Sequence, residues 1–479
     1  MKPVVLISDA LFFLLIACSL IGLWYASRKE HLRRAWHSVL ADRVAMGALA
    51  VLLLFLGIAL LDSLHFRRAL EPAAGSTNSE VHYAVELDSV LDVLLHDVKE
   101  HKEKTYSAPF AHTLFERQTV ERPDGTRGRE FPRLKYGAAH LKNPETDKTA
   151  DLVQQALRGV AVAGAVWLAL AAFISAGVAR SQRKPFLAAV SATLRGCTPL
   201  AWDGLLWAAG LLLLVLVPLL LMADSYHVFG TDRTGNDVFF YALKAMRTAL
   251  FIGTLTSLVT LPLGIAFGIA AGYFGGWVDD AIQYVYTVIS SIPYVLLIAA
   301  SVLLMQAFIE THGAWFDTPA ARADARLVAL CAIIGLISWT SLARLMRAET
   351  LKLREADFVT AAHAFGVKPL RIMSRHILPN AFHIVLITLV LDFSGLVLAE
   401  AVLAYVGIGV DPNTISYGIM INGARAELAR DPMVWWQIAA AFIFMLSLVL
   451  AANLFADAVR DAFDPRGRTA LRRRRRVVA

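Results

Sequence analysis

Residue types that perform catalysis occur in this sequence, but none of them has a catalytic spacing. The 479 residues contain no Gly-x-x-x-x-Gly-Lys-Ser/Thr loop of the kind that holds ATP phosphates, and no His-Glu-x-x-His, Cys-x-x-Cys or Gly-x-Ser-x-Gly motif. The three cysteines, Cys18, Cys197 and Cys331, are scattered and lack metal-ligand spacing. We therefore predict a chain that is not an enzyme, with no catalytic residue, no metal site and no cofactor of its own.

One polar segment, residues 62–157, concentrates histidines and raises the alternatives of a metal site or a membrane enzyme. Five of its histidines are His82, His96, His101, His112 and His140. No pair among them has a zinc-like spacing with cysteine support. Neutral histidine is common on solvated surfaces, so we interpret the five as surface or docking residues.

Hydropathy predicts the helices that position these residues. The chain is 57% hydrophobic and only 18% charged, with a mean hydropathy of +0.56. A helix needs roughly 20 apolar residues to cross about 30 Å of hydrocarbon. Nine stretches approach that length, at about 5–26, 43–61, 158–179, 205–223, 248–271, 284–308, 327–346, 382–406 and 434–455. The sequence predicts an all-α polytopic membrane protein with about nine transmembrane helices.

The net charge of +7 is concentrated in four basic segments, at about 28–43, 180–195, 344–375 and 460–476. Cytoplasmic loops carry an excess of Lys and Arg. Alternating spans then predict an external N-terminus, an external 62–157 segment and a cytoplasmic C-terminus. The run 472–476 is interpreted as an anchor to anionic lipid and not as a nucleic-acid site.

Four regions follow from this arrangement. Residues 1–180 form a three-span region whose 62–157 loop is a small extracytoplasmic domain, residues 181–203 form a cytoplasmic connector, and a six-span unit begins at 204. Residues 467–479 form a basic cytoplasmic tail. Within the loop, residues 80–99 have helical spacing, and the Pro123-Asp124-Gly125 turn is expected to join two short strands or irregular segments.

The stretch 357–380 lies between two spans on the predicted cytoplasmic side. It is expected to form a short helix, a glycine turn at Gly366, a second helix starting near Pro369, and the next span. Small side chains at Ala361 and Ala362 would let the first helix approach another surface closely. This arrangement predicts a loop that contacts a partner.

This stretch resembles the "EAA loop" of permease subunits of ATP-binding-cassette (ABC) importers in the dipeptide, oligopeptide and nickel class. The signature Glu-Ala-Ala, three residues, Gly and then Ile-x-Leu-Pro corresponds here to Thr360-Ala361-Ala362, Gly366 and Ile377-Leu378-Pro379. Thr360 replaces Glu, and Ile377 and Leu378 are adjacent. The resemblance implies that an ATPase docks on this loop, through Asp357, Thr360, Ala361, Ala362, Phe365, Gly366, Ile377, Leu378 and Pro379.

Other stretches extend the resemblance over about 204–466, the implied permease core. Residues 229–238 resemble the extracytoplasmic Leu-Gly-Thr-Asp-x-x-Gly-Arg-Asp-Val segment, and 271–279, 398–409 and 460–466 match in order. Two interpretations stay open for Asp232, Gly235 and Asp237: they shape an interfacial turn, or they contact a binding protein or gate. Glu400 and Asp392 lie in a predicted span, where they either line the pathway or bond a neighbouring helix.

The resemblance implies a bacterial inner-membrane permease subunit that forms half of a pathway for peptides or a related small solute. It also implies three kinds of partner: a second permease subunit in a heterodimer, one or two cytoplasmic ATPase subunits that use the ATP, and an extracytoplasmic solute-binding protein. The first 180 residues have no counterpart in this class. The alternative is a secondary transporter or channel that works without ATPase partners, for which inverted repeats of broken helices would be expected.

Overall fold

The computed structural model describes residues 2–69, 83–121, 127–316, 318–409, 411 and 414–463. Helices dominate these residues, and among them nine helical segments are long and apolar enough to cross a membrane. The predicted polytopic helical fold is thereby confirmed. His82, the Pro123-Asp124-Gly125 turn and the basic tail 467–479 lie outside the described residues.

The helices in chain order are α1 Ile7–Arg28, α2 Glu30–Leu40, α3 Arg43–Ser63, α4 Val90–Leu94, α5 His96–Glu100, α6 Pro144–Gln182, α7 Phe186–Leu194, α8 Trp202–Ala223, α9 Val238–Phe274, α10 Gly276–Ser291, α11 Tyr294–Thr311, α12 Pro319–Arg354, α13 Asp357–Ala364, α14 Pro369–Ile372, α15 Leu378–Tyr405, α16 Tyr417–Arg425 and α17 Trp436–Phe463. The strands are β1 Lys2–Val4, β2 His65–Arg67, β3 Asp88–Ser89, β4 Gln118–Glu121 and β5 Arg127–Glu130.

Two helix boundaries differ from the hydropathy prediction. The expected span 284–308 is divided at Pro293, which caps the start of α11 and cannot donate a backbone hydrogen bond within a continuous helix. Helix α6 begins at Pro144, inside the segment predicted to be the external domain, with Glu145 and Asp147 in its first turn. Acidic residues at a helix N-terminus favour the early start, because they complement the helix dipole.

Contacts divide the described residues into two compact units. Unit 1 comprises 2–4, 39–249 and 415–455, and unit 2 comprises 5–38, 250–414 and 456–463, with the gaps given above. Helix α1 therefore groups by contact with α10 to α15 and not with α3 and α6. The region boundaries predicted at residues 180 and 204 stay a prediction.

Unit 1 contains a close bundle of α3, α6 and α8. Glycine allows the approach of α6 to α8: a Cβ on Gly159 would lie 2.5 Å from the Cα of Pro218. Small residues let membrane helices pack backbone to backbone in this way. Beyond the bundle, β1, β2 and β3 form an antiparallel sheet, and β4 pairs with β5.

Unit 2 is held by apolar packing of α12 and α15 and by polar contacts from α1. The hydroxyl of Ser8 donates to the Asp324 carboxylate near the start of α12, and the rings of Phe12 and Phe251 lie 4.5 Å apart. A buried cluster that includes Leu342 continues from the spans into the segment after α12. This cluster positions the predicted partner-binding loop.

Candidate functional site

The loop between α12 and α15, which we call the 357–379 loop, starts with α13 and a glycine turn. Gly366 has φ +73°, and the amides of Gly366 and Val367 donate to the carbonyls of His363 and Ala362 at 3.0 and 3.1 Å. These two bonds form a Schellman motif, which needs a left-handed residue such as glycine after the helix. The turn therefore fixes the angle between α13 and α14.

One side of the loop is anchored in the core of unit 2. Val359, Ala362, Ile372 and Ile377 are buried and join one cluster with residues of α9, α12 and α15. Full burial of a Val or Ile side chain stabilises the contact by about 1.5–3 kcal/mol relative to exposure. The loop is therefore a packed extension of the spans.

The opposite side of the loop exposes apolar side chains. Phe365 is 87% exposed, Leu370 74% and Phe358 45%, and Thr360 and Ala361 lie exposed beside them. Large apolar side chains grouped on an anchored surface mark an interaction site more often than scattered ones do. This exposed side can receive a protein partner.

The helices that lead to the loop are packed closely. Three glycines at four-residue spacing on α9 touch three residues of α12, and a Cβ on any of them would lie 2.5–2.8 Å from its neighbour. The pairs are Gly264 with Leu342, Gly268 with Met346 and Gly272 with Thr350. Such spacing lets the backbones of two membrane helices approach closely.

A bidentate ion pair connects α10 to α12 just before the loop. The Nε and Nη2 atoms of Arg347 donate to the two Asp279 oxygens, each at 2.6 Å. These hydrogen bonds hold the pKa of Asp279 below its ordinary value. Paired donors give directional stiffness that a single charge lacks.

The second candidate site is the turn at residues 230–237, in unit 1. The Asp232 carboxylate accepts from the amides of Thr234 and Asn236 at 2.8 and 2.9 Å, and Gly235 has φ +78°. Asp232 therefore shapes the turn, as an Asx motif does. Gly235 is buried against the backbone of Glu103, so a residue of the 83–143 segment covers this turn.

A buried charge cluster joins that segment to the turn. His227 lies between two carboxylates: its Nδ1 is 2.8 Å from Asp237 and its Nε2 3.5 Å from Glu103. Burial alone would lower the pKa of His227, but the two carboxylates outweigh it and raise the pKa to about 9. Burial likewise opposes ionisation of Glu103, yet His227 and the amides of residues 135–137 lower its pKa to about 2.

Other contacts extend this interface to residues 430–436, which include the first residue of α17. The indole of Trp436 donates to the Thr231 carbonyl at 3.0 Å, and its ring meets Phe115 edge to face at 4.9 Å. Arg430 pairs with Glu116 at 2.6 Å. Three stretches of the chain that are distant in sequence thus form one polar and aromatic interface.

The structure thus places the predicted residues in separate locations. In the 357–379 loop, Ala362 and Ile377 are buried, Leu378 is half-buried, and the exposed members are Asp357, Thr360, Ala361, Phe365, Gly366 and Pro379. Asp237 and Gly235 belong to the turn, and Glu400 is buried on α15. Sequence reasoning missed His227 and Glu103. The position of His227 in the sequence, just before the 230–237 turn, could have indicated His227, whereas nothing in the sequence indicated Glu103.

The predicted histidine segment forms no metal centre among the described residues, where no group of three His, Cys, Asp or Glu side chains could hold an ion. His101 stacks on Tyr136 with 4.7 Å between ring centroids, and His140 lies 3.0 Å from Asp151. These two histidines have packing and hydrogen-bonding roles.

The fold and the loop define a polytopic helical membrane protein with an anchored loop that is exposed on one side. The model of the family described as binding-protein-dependent transport system inner membrane component matches residues 264–469. The oligopeptide transport system permease protein OppC of Mycobacterium tuberculosis (strain ATCC 25618 / H37Rv) is 31% identical over 243 residues, which cover 51% of this chain and 77% of that protein. This chain belongs to the binding-protein-dependent transport family, and the resemblance predicted from its motifs is confirmed.

Other proteins are similar to parts of this chain. The dipeptide transport system permease protein DppC of Lactococcus lactis subsp. cremoris (strain MG1363) is 32% identical over 51% of this chain, and the match covers 64% of that protein. Among solved structures, an inward-facing MetNI methionine ABC transporter matches 47% of this chain and 96% of its own, at 14% identity and a TM-score of 0.35.

Proposed function

We propose that this chain is the permease subunit of an ABC importer and forms half of a transmembrane pathway for peptides or a related small solute. Its family membership supports transport, and the relatives named as dipeptide and oligopeptide permeases support the cargo class. The chain provides one half of the pathway, and ATP is used by separate subunits.

The proposal includes three partners: a second permease subunit, one or two ATPase subunits on the cytoplasmic side, and an extracytoplasmic binding protein. The N-terminus is external and the C-terminus cytoplasmic. Contacts within unit 1 support this sidedness, because the 83–143 segment touches residues 225–237 and 430–436, all assigned to the external side. Within unit 2, Arg347 and Arg354 contact residues of the 273–279 turn. The turn and both arginines are assigned to the cytoplasmic side.

The mechanism follows from the two sides of the 357–379 loop. ATP-driven closure of the ATPase subunits displaces the exposed side, and the buried side transmits that displacement to α9, α12 and α15. The Schellman turn at Gly366 and the Arg347–Asp279 pair limit bending along this path. The spans then move against the second permease and open the pathway to the outside, and hydrolysis returns them.

The observation that carries the proposal is the 87% exposure of Phe365 on a loop whose other side is buried. The test is affinity purification of the tagged chain from cells that produce all subunits, with ATP hydrolysis measured in the eluate. We expect the wild-type chain to retain an ATPase and Phe365→Ala to reduce the retained activity at least ~10-fold. Loss of a buried aromatic anchor costs about 2 kcal/mol or more, and 1.4 kcal/mol is about tenfold in affinity.

The matched control removes an exposed aromatic side chain from the external segment. Phe131 is 49% exposed, so Phe131→Ala should retain the ATPase as wild type does. A wild-type chain that transports solute with no ATPase retained would refute the importer. Equal retention by the Phe365→Ala and Phe131→Ala variants would refute docking on this loop.

A further inference from the structure

A cavity of about 330 Å³ lies among α9, α11, α12 and α15, within unit 2. Its polar lining includes Ser257 and Thr260 from α9, Tyr294 from α11, Ser338 from α12 and Asp392 from α15. Ligand sites occupy about 300–1,000 Å³ and combine apolar walls with a few convergent polar groups. The volume and the lining of this cavity both fit a small solute.

Asp392 is the one carboxylate in the lining. It lies near the middle of α15, roughly 20 Å from either end at 1.5 Å per residue. Across the part of the chain that the structure describes, neither a cation nor a hydrogen-bond donor pairs with it. A carboxylate at this depth without a partner indicates a functional group facing a cavity or pathway.

The neighbouring hydroxyls present oxygen lone pairs to the cavity. Ser257 and Thr260 donate their protons to carbonyls one turn earlier on α9, Gly253 at 2.9 Å and Thr256 at 3.1 Å. A hydroxyl whose proton is used in this way still accepts hydrogen bonds. The Tyr294 and Ser338 oxygens lie 3.2 Å apart and share one hydrogen bond, which leaves acceptor capacity on both oxygens and one free hydroxyl proton. The site therefore favours a ligand rich in donors.

We propose that this cavity binds a protonated primary amine of the transported solute, with Asp392 as its counter-ion. An ammonium group has three donors, no acceptor and a positive charge, which matches hydroxyl acceptors around one carboxylate. The inference rests on the proposed transport function for the identity of the ligand as cargo. The amine comes either from the N-terminus of a peptide or from an aliphatic diamine.

Gly395 is a position from which a longer side chain would enter the cavity. It lines the cavity three residues after Asp392, and a Cβ built on it meets nothing within 4 Å. Gly395→Leu should therefore place a side chain in the space that a ligand would use. The variant tests occupancy, whereas Asp392→Asn tests charge with nearly unchanged shape.

The experiment measures equilibrium binding to the full chain in lipid nanodiscs. The probes are L-alanyl-L-alanine, its N-acetyl derivative and 1,4-diaminobutane. We expect the wild type to bind the free dipeptide at least tenfold more tightly than the acetylated one, Asp392→Asn to abolish that ratio, and Asp392→Glu to retain it. Gly395→Leu should weaken the binding of the free dipeptide and of the acetylated dipeptide. The control is Asp280→Asn, which removes an exposed carboxylate outside the cavity and should keep the ratio.

Each result has a defined meaning. Asp392-dependent binding of the diamine, with no binding of the dipeptide, would keep the amine site and assign its ligand to diamines. A wild type that binds neither amine, or an Asp392→Asn variant that keeps the full ratio, would overturn the proposal. Retention of an ATPase is measured separately. Amine binding with no ATPase retained would refute the proposed importer function but keep the amine site. ATPase retention with no amine binding would refute only the amine site.

Discussion

The turn at residues 230–237 offers the sharpest test of how the external segment is held. Gly235 has φ +78°, and a Cβ there would lie 1.9 Å from the carbonyl oxygen of Glu103 and 2.4 Å from its carbonyl carbon. The Glu103 amide also donates to the Gly235 carbonyl at 2.9 Å. Gly235→Ala therefore cannot keep this contact, because both overlapping atoms belong to the backbone.

The expected cost has two parts. A left-handed conformation costs a residue with a Cβ about 1–2 kcal/mol, and overpacking adds about 1–3 kcal/mol. The docked arrangement should therefore lose about 2–5 kcal/mol relative to an opened one. Gly276→Ala, in unit 2, is the matched control. Gly276 has φ +52°, but a Cβ on it would meet nothing within 4 Å. This variant should therefore have the backbone cost and no overpacking cost.

Hydrogen exchange of the full chain in nanodiscs measures the difference. The amides of Glu103, Ser107 and Phe110 all donate to residues of 227–235, so peptides covering 103–110 report the docking. A loss of 2 kcal/mol corresponds to about 30-fold faster exchange where local opening controls it. If Gly235→Ala left exchange in this segment as slow as Gly276→Ala does, close backbone contact would not be what holds the segment.

Two further predictions concern charge and helix packing. The folded pKa of His227, about 9, lies above the ordinary 6.5, so its contribution to docking is full below pH 6.5 and is lost as pH rises through about 9. The folded pKa of Glu103, about 2, lies below the ordinary 4.5, so its contribution to docking is lost as pH falls through about 2. Exchange in 103–110, corrected for intrinsic rates, should accelerate between pH 7 and 9 and lose that response in His227→Gln; a flat wild-type profile would contradict the buried charge cluster. Gly159→Ala should lower the melting temperature in detergent, since its Cβ overlaps Pro218 and overpacking costs about 1–3 kcal/mol. Gly164→Ala on the same helix meets nothing within 4 Å and should not lower it, so equal melting temperatures would contradict the α6–α8 contact.

Local features of the fold were predictable because they depend on neighbouring residues. A run of apolar residues reveals a span wherever it packs, so all nine candidate membrane helices were expected from hydropathy. The Gly366 turn was expected for the same reason, since a glycine between two short helical patterns satisfies the backbone locally. The break at Pro293 was missed although proline signals it, because the surrounding hydropathy is continuous.

Tertiary structure alone decided which distant residues meet. The buried charge cluster joins Glu103 to His227 and Asp237, which lie more than 120 positions further along the chain, and no periodicity in the sequence relates Glu103 to them. Tertiary structure also decided the environments of two carboxylates on one helix, Glu400 and Asp392. Hydropathy treats them alike, yet packing buries Glu400 and leaves Asp392 facing a cavity. Burial and charge pairing arise from long-range packing, so a sequence fixes them only through the complete fold.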